Sequence, residues 1–185
     1  MGVMTLWALY AYDLPILTDP AKGLGFKWWL LPHALAGTIA FLIGPLQFSA
    51  TLRNANWKRH RLLGQIYVTA VTLSALLAIG ITVWHQEFGQ VQLLVQSLAW
   101  LLCTWCAFLS ARNRNQAVHR LWAARSYSLT FFFVTIRLAL GAFFPTATPE
   151  QIVEIAWVLM VAALVIPDLL MSGGALRPWK KQGLA

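Results

Sequence analysis

Two histidines hold matching places in this 185-residue chain. His60 opens the run HRLLGQIYVTAVTLSALLAIG, and His119 opens HRLWAARSYSLTFFFVTIRLAL. An arginine follows each one, Arg61 and Arg120. Imidazole is a good metal ligand and exchanges protons near neutral pH. Two imidazoles facing each other across a helical bundle can hold a b-type haem, and arginines beside them can pair with its propionates. Asp168 falls near the same end of the chain's apolar runs. Two histidines and a carboxylate are a ligand set for iron or zinc with open positions. A His-Arg pair at a helix foot is equally a good interfacial anchor. The residues leave three readings open: a haem site, a metal or proton-handling site, and an anchor.

Other groups could also do chemistry. His33 and His85 fall toward the opposite end, where the matching stretch of the next run offers Gln92 and Gln96. His33 reads as a cofactor candidate or a satisfied helix histidine, and His85 as a loop residue. Arg137 lies about 10 Å inside an apolar run, at 1.5 Å per residue, and an arginine at that depth requires a partner or must snorkel. Glu154 begins the next run at nearly the same height. Arg125 and Asp168 match in height at the other end. Two inter-helix ion pairs are therefore expected, Arg137 with Glu154 and Arg125 with Asp168. Cys103 and Cys106, three residues apart in an apolar run, read as small apolar side chains.

These groups must be positioned by membrane helices. The chain is 59% hydrophobic and only 11% charged, with a mean hydropathy of +0.64. A soluble domain carries about 25% charged residues, so the bilayer is the expected solvent. Five clear spans are expected, near residues 30–50, 62–84, 91–111, 121–144 and 151–171. Each is close to the roughly 20 residues that cross a hydrocarbon core. Backbone groups in lipid must pair within the chain, which makes the spans helices. The fold class is therefore an all-α integral membrane bundle. Residues 1–29 form a marginal apolar segment and a loop, interrupted by Asp13 and Pro15, and lack a signal-peptide pattern. Residues 30–172 form the bundle and residues 173–185 a basic tail. The histidine feet follow related lead-ins, Ser49–Asn56 (SATLRNAN) and Ser110–Asn115 (SARNRN). That similarity reads as an internal two-helix repeat.

Basic residues set the orientation. Arg53, Lys58, Arg59 and Arg61 form one cluster, Arg112, Arg114, Arg120 and Arg125 a second, and Arg177, Lys180 and Lys181 a third. Alternating spans put all three on one side. The positive-inside rule makes that side, and the C-terminus, cytoplasmic. The net charge of +8 is then a topology signal with some attraction for anionic lipid, and nucleic acid is excluded as a partner.

One combination is more specific. His33 comes with Gly44-Pro45-Leu46-Gln47-Phe48. Next is His60-Arg61-x-x-Gly64-x-x-Tyr67. His119-Arg120-x-Trp122-x-x-Arg125-Ser126-Tyr127 follows, with Leu129-Thr130 and Arg137. Over about residues 30–171 the chain resembles a bacterial family of polytopic membrane proteins catalogued as domain of unknown function 2306. The resemblance implies a multi-pass protein of the bacterial inner membrane and no defined reaction. Family members often carry an Asn and a nearby Glu late in the last span; here Asp168 stands in that region, followed by Ser172-Gly173-Gly174. The leading functional expectation is a b-type haem protein that moves electrons, with a quinone or another redox partner. The alternatives are a small proton-coupled carrier and a non-catalytic membrane scaffold.

Overall fold

The computed structural model describes residues 24–85 and 89–172. Among these the chain is helical, without a strand. Its helices are α1 (Leu24–Phe48), α2 (Ala50–Ala55), α3 (Trp57–His85), α4 (Gln90–Arg112), α5 (Gln116–Ala142) and α6 (Pro149–Ser172). The expectations for residues 1–23 and for the tail after Ser172 lie outside the described residues.

Polar side chains at the turns mark where α2, α3, α5 and α6 start. The first N–H groups of a helix lack internal acceptors, so a side-chain oxygen there is stabilising. Ser49 Oγ accepts from Leu52 N and starts α2. Asn56 ends α2 through its own N–H and starts α3 by accepting from Arg59 N at 3.0 Å. Asn115 does the same for α5, accepting from Val118 N at 3.2 Å. At α6, Thr148 Oγ1 accepts from Gln151 N while Gln151 Oε1 accepts from Thr148 N. This is the reciprocal Thr-x-x-Gln box, with Pro149 at the first helical position, where no N–H is needed. Gly89 precedes α4 at φ +77, which a side chain rarely adopts. A Cβ there would also press on Val153.

These caps move several expected boundaries. The first helix begins at Leu24, inside the stretch expected to be loop, and α2 occupies most of the first lead-in. α3 begins at Trp57 and α5 at Gln116, so His60 and His119 both lie in the first turns of their helices. His60 N donates to Asn56 O and His119 N to Asn115 O, the same step after each capping asparagine. His85 is the last residue of α3 rather than a loop residue.

Four helices among the described residues are long and apolar enough to cross a membrane: Trp28–Phe48, Trp57–Trp84, Gln90–Arg112 and Pro149–Ser172. The expected count was five. The missing one is α5, which is 27 residues long. Arg120, Arg125, Arg137 and several hydroxyl side chains lower its hydropathy.

The helices pack in sequence: α1 on α3, α3 on α4, α4 on α5, and α5 on both α6 and α1. Small residues let α1 and α3 approach closely, with Ala36, Ala40, Ala70 and Ala75 buried along them. Gly44 of α1 faces the Tyr127 ring of α5 so closely that a Cβ would overlap it. Trp100, Val71 and Leu129 fill the centre. Large apolar side chains such as Leu73, Leu76, Val158 and Leu170 point outward. In lipid those faces need no cover.

Candidate functional site

A polar seam runs through the middle of the bundle. Tyr67 comes from α3, Trp100 and Thr104 from α4, and Ser126 and Thr130 from α5. All five side chains are buried. Tyr67 Oη lies 2.9 Å from Ser126 Oγ and 2.8 Å from Thr130 Oγ1. Thr104 Oγ1 lies 2.7 Å from Ser126 Oγ, and Trp100 Nε1 donates to Thr130 Oγ1 at 2.9 Å. Thr104 and Thr130 also reach the carbonyls of Trp100 and Ser126, at 2.8 and 3.0 Å.

The proton count of this seam is informative. Tyr67, Thr104, Ser126 and Thr130 supply four hydroxyl protons, since each hydroxyl carries one. Five of these hydrogen bonds need such a proton: Tyr67–Ser126, Tyr67–Thr130, Thr104–Ser126, Thr104–Trp100 O and Thr130–Ser126 O. One is always short of a proton, so the hydroxyls can share their protons in more than one arrangement. A chain that can reverse its orientation is the requirement for relaying protons.

The seam continues along α4 as two glutamines. Gln96 is one helical turn from Trp100, and Gln92 one turn further. Gln96 is 2% exposed and Gln92 4%. Neither end of the Gln96 amide, and not the nitrogen of Gln92, has a hydrogen-bonding partner among the described residues. An unmet buried polar group costs about 1–3 kcal/mol. Gln47 Nε2 of α1 is unmet as well.

A second polar contact joins α1 to α3. Ser74 Oγ donates to His33 O at 3.1 Å or engages His33 Nδ1, also at 3.1 Å. His33 Nδ1 lies 2.8 Å from Ser74 O, which fixes that nitrogen as the N–H tautomer, because a carbonyl only accepts. The ring meets Phe133 edge-on. Gly37 gives Ser74 its room.

The charged groups are arranged at two ends. Arg125 grips Asp168 with both prongs, Nε to Oδ1 at 2.9 Å and a terminal nitrogen to Oδ2 at 2.6 Å. Its guanidinium also lies 4.5 Å from the Trp122 ring centre. Bidentate geometry and stacking suit arginine, not lysine. At the other end Arg137 donates to Phe133 O at 3.2 Å. Glu154 is exposed on α6 and borders an open depression with Phe143, Phe144 and Gln151.

The expected metal set of His60, His119 and Asp168 is not formed. Among the described residues no three His, Cys, Asp or Glu side chains converge to hold a metal ion. The reason is local. Asp168 gives both oxygens to Arg125. His119 Nδ1 donates to Ala107 O of α4 at 2.8 Å, and the His60 ring packs on Trp57, 5.2 Å centre to centre. Arg61 and Arg120 are exposed. The haem clamp therefore draws no support from how these side chains are held. Cys103 and Cys106 are free thiols, Cys103 being buried.

The profile of a family described as predicted membrane protein (DUF2306) matches residues 30–172. The chain belongs to this family. The match covers all of the described bundle except the first residues of α1. No curated protein and no solved structure matches the chain. The DUF2306 description gives a membrane location and no activity, so this member's chemistry has to be read from its own interior. The seam was legible in part. Gln92, Gln96, Trp100 and Thr104 recur every four residues along one apolar run, and Ser126 and Thr130 do so along another. That spacing puts each set on one helix face.

Proposed function

We propose that this protein is a small proton-coupled carrier, a five-span bundle in which the polar seam accepts a polar guest and relays protons. The observation that carries this reading is Gln96. A scaffold gains from inter-helix hydrogen bonds whose donor and acceptor meet, as Trp100 Nε1 and Thr130 Oγ1 do. It gains nothing from an amide sealed inside the bundle with both ends unmet. Neutral polar side chains inside a membrane bundle ordinarily bond across helices, and Gln96 does not do so among the described residues. The hydroxyl chain beside Gln96, with four protons for five bonds, supports proton relay along the same path.

The fifth span in this reading is α5. It packs on α1, α4 and α6, and Ser126, Leu129 and Thr130 at its middle are buried. Its low hydropathy follows in part from side chains that face the seam or the ion pair, Ser126, Thr130 and Arg125. The matching caps, Asn56 before His60 and Asn115 before His119, support a duplicated two-helix unit. The clustering of Arg53, Lys58, Arg59, Arg61, Arg112, Arg114 and Arg120 at one end supports a cytoplasmic location for that end in an inner membrane. The histidines there then serve as anchors, and His119 additionally ties α5 to α4.

The test is proton flux. Purified protein in liposomes with an internal pH dye is given a potassium gradient and valinomycin. The proposal expects faster internal acidification than in protein-free liposomes. Equal rates, with and without a library of small polar solutes outside, refute it.

A further inference from the structure

We propose that Gln92 and Gln96 form a binding site for a hydroxyl group, either water itself or the hydroxyl of a small polyol such as glycerol. The proposal rests on the carrier reading above and names the guest that the seam takes.

The unmet atoms specify the ligand. Gln96 offers a donor, Nε2, and an acceptor, Oε1, and Gln92 adds a second donor. A guest must therefore both accept and donate within one small group. A hydroxyl does so, with two lone pairs and one proton. Residues four apart on a helix have Cβ atoms about 5–6 Å apart, which suits one small guest bridging two amides.

The neighbourhood agrees. The seam that begins one turn away, at Trp100, ends in neutral groups that can donate and accept: Tyr67, Thr104, Ser126 and Thr130. A hydroxylic guest extends such a chain without changing its chemistry. A cation would need carbonyl or carboxylate oxygens in number, whereas most of what is unmet here is N–H. An apolar guest would leave all three atoms unmet. Buried polar groups without protein partners are the usual holders of internal water, which makes about three hydrogen bonds, the number of atoms waiting here.

The test reads the site directly and not through transport. The protein is labelled with 15N in glutamine side chains and placed in lipid nanodiscs. The Gln96→Leu and Gln92→Leu variants assign the two amide signals by their loss. The expected result is magnetisation transfer between water and the Gln96 Nε2 protons. If the guest is a polyol, adding glycerol shifts the Gln96 and Gln92 signals and leaves that of exposed Gln151 in place. If it is water alone, the transfer persists and glycerol shifts neither. No water transfer together with no glycerol shift overturns the proposal. Dry glutamines in a protein that conducts protons would sink this site and leave the carrier reading standing. Wet glutamines in a protein without flux would do the reverse.

Discussion

Replacing Gln96 by leucine should not destabilise this protein, although Gln96 is only 2% exposed. Most substitutions at so buried a place lose about 1–3 kcal/mol or more. Here the side chain donates no bond and accepts none within the described protein. Leucine is close to it in size, so little cavity or overpacking follows. Two unmet amide ends carry a desolvation cost of about 1–3 kcal/mol each, and a bound hydroxyl recovers part of it. The expected change is between zero and a gain of about 2 kcal/mol. By contrast Leu129→Ala, at a fully buried apolar site, should lose about 2–5 kcal/mol. Thermal unfolding in detergent, followed by tryptophan fluorescence, separates the two. A loss above about 1 kcal/mol for Gln96→Leu would mean that Gln96 holds the helices together, and the reasoning from its unmet amide would collapse.

Other expectations follow from particular contacts. Gly44→Ala should destabilise by about 1–3 kcal/mol through overlap with the Tyr127 ring, and Tyr127→Leu in the same chain should recover part of the loss; no loss in the single variant would refute the close approach of α1 and α5. Asp168→Ala should lower the unfolding temperature more than Glu154→Ala, because it strips Arg125 of a two-pronged partner; equal temperatures would mean the pair contributes nothing. Tyr67→Phe should cost about 0.6 kcal/mol and at most about 1.7, the range for a hydrogen bond between membrane helices; a larger loss in the same unfolding assay would mean the seam acts as the bundle's main fastening. A reporter after Ala185 should be active only if it works in the cytoplasm, and one inserted near Gly89 only if it works outside; the reverse would invert the orientation.

What could be read without coordinates was mostly height along the membrane normal. Counting 1.5 Å per residue along antiparallel helices brings Arg125 and Asp168 level. It also brings His60 and His119 level, yet those two serve different neighbours, Trp57 and the Ala107 carbonyl. Height does not give azimuth, so a shared level does not by itself make a shared site. The apolar runs made α1, α3, α4 and α6 legible as membrane helices. α5 is the harder case, because Arg125, Ser126 and Thr130 serve neighbouring helices and, with Arg120 and Arg137, lower the hydropathy used to find it. The seam was hidden for a related reason. Serine and threonine in apolar runs look like small helix residues that bond their own preceding turn, as Thr72 and Ser97 do. Only packing distinguishes Ser126 and Thr104, which face each other across α4 and α5.

The central claim is that the buried seam carries protons with its guest. The most direct measurement compares initial acidification rates of liposomes containing equal amounts of folded wild-type protein, Gln96→Leu and Arg112→Ala. The account predicts that Gln96→Leu falls to the protein-free rate although it is at least as stable as wild type, while Arg112→Ala, at the exposed end of α4, keeps the wild-type rate. Wild-type flux that survives unchanged in Gln96→Leu would contradict it.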